Sequence, residues 1–83
     1  MSYELVKQAS QTIIGTKQAV KAMRAGQVTA LLVAIDADSW VVDPAILLAK
    51  EIDVPVYFVD SKRELGKACG IHVGAAVIAI TAM

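Results

Sequence analysis

Three short runs of apolar, mostly β-branched residues, Val28–Ile35, Val54–Val59 and Ala75–Thr81, constrain this chain more than any other feature. They have strand length and composition, so they read as buried strands. The segments between them are helical in pattern. A strand–helix–strand alternation within 83 residues predicts one small layered domain, 1–83, around a partly parallel sheet. With 57% hydrophobic residues the chain can fill such a core, which excludes a disordered tail, and its single cysteine, Cys69, offers no internal disulfide to reinforce it. The longest apolar stretches, Thr29–Ile35 and Gly74–Ile80, fall far short of the roughly 20 residues a spanning helix needs. The opening residues Met1–Gln8 lack the basic start and apolar centre of a secretory signal, so the expected compartment is the cytoplasm, without a membrane partner.

The helices follow from their punctuation. Ser2 to about Gln11 forms the first and Thr16 to about Ala25 the second, with Gly26 as a left-handed stop and Thr12–Gly15 between them as a short strand. Asp43-Pro44 reads as a cap followed by proline at the first helical position, with Ile46, Leu47 and Ile52 as the apolar side and Pro55 preventing continuation. Ser61-Lys62-Arg63-Glu64 has capping-box spacing, in which serine and glutamate satisfy each other's backbone donors, and Gly70 ends that helix. The order α, short β, α, β, α, β, α, β predicts an α/β fold.

Net charge is zero, with eight basic and eight acidic residues, which by itself argues against a nucleic-acid binder that relies on bulk charge. The distribution is uneven: residues 1–24 carry +3, residues 61–83 carry +2, and residues 25–60 carry −5. Two basic segments folded onto one end would make an anion-binding surface that the average conceals. In the second helix Lys17, Lys21 and Arg24 form one stripe while Ala19, Val20 and Met23 turn toward the core. That stripe is open to two readings, a solvated face and a phosphate site. Its first turn holds Lys17 and Gln18 where an acid would complement the helix dipole, and the preceding Gly15 lets a ligand approach the backbone. The second segment of interest is Gly70–Gly74, a tight loop that places Ile71 and Val73 partly exposed beside basic residues, a surface suited to an unstacked base.

Gly15-Thr16-Lys17-Gln18-Ala19-Val20-Lys21-Ala22, then Asp36-Ala37-Asp38, then Ser61-Lys62 with Leu65-Gly66-Lys67-Ala68-Cys69-Gly70-Ile71-His72-Val73-Gly74-Ala75-Ala76, resembles the kink-turn RNA-binding ribosomal protein family of the L-seven-A-e type, nearly end to end and in its short bacterial form. The resemblance implies a three-layer α/β/α sandwich with a small mixed four-stranded sheet. It also implies a non-enzymatic protein, without a cofactor, that binds structured RNA, ribosomal RNA included, at a kink-turn: a sharply bent helix with tandem sheared G·A pairs beside a bulge. Carried over, Gly15, Thr16, Lys17 and Gln18 face the G·A pairs, Lys21 contacts phosphate or base edges nearby, Gly70, Ile71, His72 and Val73 cover the flipped bulge nucleotide, and Lys67 lies near the backbone. The sequence departs from the pattern in two places. Archaeal and eukaryotic members usually have Asn-Glu in place of Lys17-Gln18, and the position of His72 is more often acidic. A histidine beside phosphate makes binding pH-sensitive.

The competing reading is a protein-interaction module on the same fold, since fold does not fix function. A thiol enzyme built on Cys69 is more remote, because the sole histidine, His72, lacks a third orienting group, and a buried filler suits the cysteine better. Asp36 and Asp38 read as polar turn residues before a metal site. Trp40 fits either a loop anchor or an exposed interaction spot. Nothing in the sequence demands more than a monomer.

Overall fold

The computed structural model describes residues 3–82. In chain order the elements are α1 (Tyr3–Gln8), β1 (Gln11–Ile14), α2 (Thr16–Arg24), β2 (Ala30–Ala34), α3 (Ser39–Glu51), β3 (Val56–Val59), α4 (Lys62–Ala68) and β4 (Val77–Ala82). The strands form one mixed sheet in the order β1-β4-β2-β3. β4 runs antiparallel to both neighbours and β2 pairs parallel with β3.

Successive residues of the central strands β2 and β4 feed two cores, whereas β3, also expected to be a buried strand, lies at the sheet edge with Tyr57 and Phe58 exposed. On one face Leu31, Val33, Val77 and Ala79 pack with Ala19 and Met23 of α2 and Val42, Ala45 and Ala49 of α3. On the other face Leu32, Ala34, Ile78 and Ile80 pack with Val6 of α1 and Leu65 of α4. The result is the expected α/β/α sandwich, with α2 and α3 on one side of the sheet and α1 and α4 on the other.

Three local expectations are corrected. The first helix ends at Gln8, and Gln11 opens β1 opposite Ala82. Its expected start at Ser2 lies outside the described residues. α3 begins at Ser39, so Pro44 stands inside it. There it removes one helical hydrogen bond to the Trp40 carbonyl, but Val42, Ala45 and Ala49 are buried within the same helix, and their packing holds the turns on either side. The apolar side is corrected in part: Ile46 is half-buried against the core as expected, but Leu47 and Ile52 are exposed, and the fully buried positions of α3 are one valine and two alanines.

The capping box at α4 forms only in half. The Ser61 hydroxyl accepts the Glu64 N–H at 3.0 Å, but the Ser61 N–H donates to the Tyr3 hydroxyl at 3.2 Å instead of to Glu64. The Lys62 N–H donates to Asp36 Oδ1 at 2.8 Å. Three donors at the start of α4 are therefore satisfied from three different parts of the chain, which ties α1 and the turn after β2 to this helix.

Candidate nucleic-acid interface

β1, β2 and β3 all point the same way, so their carboxyl ends, and the helices that follow them, lie at one end of the sheet. β4 begins at that end. The start of α2, the start of α3, the start of α4 and the 70–76 loop are thereby gathered, a placement at which α/β folds commonly hold ligands. Hydrogen bonds join them: the Gly15 N–H donates to the Val77 carbonyl and the Ala34 N–H to the Ala76 carbonyl, both at 2.9 Å.

Gly15 precedes α2 with φ 106° and ψ 148°, a region essentially restricted to glycine. An added Cβ would meet nothing within 4 Å, so the backbone angle, and not space, requires glycine there. No side chain caps α2, and its first turn holds no acid. Lys17, Gln18, Lys21 and Arg24 are exposed, Thr16 is half-buried, and Ala19, Ala22 and Met23 are buried against the sheet, with Val20 half-buried beside them. The basic stripe thus stands on the outer face. Among the described residues the single ion pair is Lys67 with Glu64, at 3.7 Å, so Lys17, Lys21 and Arg24 have no carboxylate partner there. An uncapped helix start beside unpaired cations attracts anions strongly.

The 70–76 loop lies against α4 through glycine. A Cβ on Gly66 would collide with the Val73 carbonyl oxygen, and one on Gly74 would come within 3.1 Å of Lys62 Cβ. The loop's backbone rests on the helix at these two points, and the Ile71 N–H to Gly66 carbonyl and Ala75 N–H to Lys62 carbonyl bonds, both 3.0 Å, fix it. Gly70 ends α4 at φ 78°. His72 is exposed and Val73 is 70% exposed, but Ile71 is half-buried and packs into the core shared with α1 and α4. Val73 and His72 therefore form the outward surface of the loop, and Ile71, partly exposed as the sequence predicts, also anchors it. Lys67 is exposed one turn below.

The two predicted regions are thus brought to one end of the sheet, but not as a purely basic surface. Asp36, Asp38 and Asp60 follow β2 and β3 to the same end, and Asp36 accepts the Lys62 N–H, which makes it a brace between two segments. The uncompensated positive charge runs down α2. Cys69 is half-buried against the core shared with α1 and α4, and desolvation pushes its thiol pKa up, opposite to the shift an activated thiol needs. Trp40, which the sequence left between two roles, is 76% exposed and faces Thr16 and Lys17 across a groove. No described helix is long and apolar enough to cross a membrane.

Comparison with known proteins agrees with this architecture. The profile of the ribosomal protein L7Ae/L30e/S12e/Gadd45 family matches residues 2–83. The chain is 52% identical over 80 residues to an RNA-binding protein of Geobacillus sp. (strain WCH70), and 50% identical over 80 residues to RNA-binding protein YbxF of Geobacillus stearothermophilus. In each case the match covers 96% of this chain and 98% of the relative. Among solved structures, the Giardia lamblia 15.5kD RNA binding protein superposes with a TM-score of 0.88 at 31% identity, covering 99% of this chain and 72% of that one. A family profile matched over almost the whole chain, and near-full-length relatives at half identity, lead to one conclusion: this chain belongs to the ribosomal protein L7Ae/L30e/S12e/Gadd45 family.

Proposed function

We propose that this protein is a non-enzymatic RNA-binding protein that recognises and stabilises kink-turns. The observation that carries the proposal is the convergence of the uncapped, cation-bearing start of α2 with the loop of exposed His72 and Val73 at one end of the sheet. The names of the relatives, which are RNA-binding proteins, support the same reading. In it the Gly15–Gln18 turn meets the tandem G·A pairs. Lys17 and Gln18 supply side-chain hydrogen bonds to base edges, Lys21 adds phosphate contact further along α2, and the 70–73 loop covers the extruded nucleotide with Lys67 near the backbone.

The division of labour follows from chemistry. Cations with no carboxylate partner attract phosphate without regard to sequence, and their displacement of counterions makes affinity fall with salt. Shape selection comes from requiring both regions to be met at once, which only a bent duplex with an extruded base does. A protein that binds the bent form alone shifts the RNA's equilibrium toward it by its differential affinity. No bond is made or broken, and the raised thiol pKa of Cys69 is consistent with an inert side chain.

The test is binding of a kink-turn RNA against the same RNA with its tandem G·A pairs converted to Watson–Crick pairs, at matched salt. Tight binding to the first alone is expected. Equal, weak binding to both would leave only nonspecific electrostatics and move the protein-interaction reading to the front.

A further inference from the structure

We propose that Trp40 and the groove it walls receive an unpaired base of the bound RNA, as a stacking contact additional to the α2 turn and the 70–73 loop. The inference rests on the RNA-binding reading above and extends it to a residue on a third element. Trp40 stands in the first turn of α3, and the groove beside it, of about 420 Å3, is lined by Thr16, Lys17, Val20, Trp40, Val41 and Pro44. Thr16 and Lys17 belong to the turn already assigned to RNA, so the groove continues that surface without a break.

The chemistry of the walls selects the occupant. Trp40 and Pro44 are one helical turn apart on α3 and make one apolar side; Val20, on the facing helix α2, makes the other. The one charged residue in the lining is Lys17, which has no carboxylate partner among the described residues. A planar apolar wall beside a single unpaired cation matches a nucleotide, whose base presents a π face and whose phosphate carries the opposite charge. A protein partner would be expected to cover more apolar surface and to need less of the cation. Exposing 76% of a tryptophan side chain beside this turn is otherwise unexplained by packing, since Trp40 belongs to neither core. Stacking on tryptophan is tolerant of base identity, so the contact adds affinity and leaves selectivity to the G·A-facing turn.

Trp40 is the only tryptophan in the chain, so intrinsic fluorescence reports on it alone. The experiment titrates a kink-turn RNA into the full-length protein, reading tryptophan emission and, separately, the anisotropy of end-labelled RNA, for the native chain and for Trp40→Ala and Trp40→Phe. Quenching with the same midpoint as the anisotropy change is expected, together with affinity lower by about 10-fold in Trp40→Ala and largely kept in Trp40→Phe. Replacing each unpaired nucleotide in turn by an abasic sugar locates the base: one position loses the same factor against the native chain and nothing further against Trp40→Ala. Unchanged thermal unfolding of Trp40→Ala ensures that the loss is not one of folding. If Trp40→Ala binds the kink-turn as tightly as the native chain, with G·A selectivity intact, the stacking contact is refuted while the RNA reading stands, and the groove passes to a protein partner. If the native chain binds no RNA, both fall together.

Discussion

Gly66→Ala is the substitution in which local and tertiary physics most clearly disagree. Gly66 lies inside α4, where alanine is intrinsically favoured by about 1 kcal/mol. The added methyl, however, points at the Val73 carbonyl, an atom of the backbone that no rotamer change can move aside. Relief requires the 70–74 loop to lift from the helix. Overpacking of this kind costs typically about 1–3 kcal/mol. Lifting the loop also lengthens the Ile71-to-Gly66 and Ala75-to-Lys62 bonds, each worth about 1 kcal/mol. After the helical gain is subtracted, the net loss is about 3 kcal/mol, which for a domain of this size lowers Tm by about 12–24 °C. Thermal unfolding followed by far-ultraviolet circular dichroism measures it. Gly70→Ala is the comparison: its Cβ meets nothing within 4 Å, so only the strain of its φ of 78° remains, about 1 kcal/mol, and it lowers Tm less. A Gly66→Ala protein with unchanged or raised Tm, as helix preference alone requires, would refute the close approach of loop and helix.

Four further outcomes follow from the same contacts. Lys17→Ala and Lys21→Ala each weaken kink-turn binding and reduce the slope of log affinity against log salt by about 1, with Tm unchanged; an unaltered slope places both lysines outside the interface. Tyr3→Phe removes the acceptor of the Ser61 N–H and lowers stability by about 1 kcal/mol in urea unfolding, whereas an effect of zero makes the α1–α4 bond irrelevant. Gly15→Ala, forced into a glycine-only backbone region, costs about 1–3 kcal/mol and displaces the start of α2, so RNA affinity falls with Tm; loss of neither contradicts the observed angles. Cys69, with its thiol pKa raised by burial, reacts with iodoacetamide more slowly at pH 8 than a free cysteine does, and rapid labelling contradicts the burial. Because the folded value is the higher one, this group's contribution to stability is complete at neutral pH and is lost as pH rises from the ordinary thiol range through the folded pKa.

What the sequence determined by itself is what short-range physics encodes. The apolar, β-branched runs that contain Leu31–Ala34 and Val77–Ile80 mark buried strands, because such side chains suit a packed pleated surface. The stripe Lys17, Lys21 and Arg24 is legible because helical spacing alone puts those residues on one face, and the Ser61 hydroxyl cap because donor and acceptor are three residues apart. The resemblance in motif order added the pairing of the Gly15–Gln18 turn with the 70–73 loop. Contacts between distant segments were not legible. α3 starts at Ser39 because Val42 is buried against the sheet, a gain that outweighs the local signal of Pro44 and turns Leu47 outward. Gly66 reads as a weak point of a helix until the Val73 backbone is placed on it. Asp36 and Lys62, 26 residues apart, meet because β2 and β3 pair in parallel, and Trp40 and Lys17 come to line one groove because β1 and β2 run the same way and bring the starts of α2 and α3 to one end of the sheet. That arrangement is set by pairings between segments far apart in the chain, whose energy depends on the whole set of packed faces and on no single local pattern.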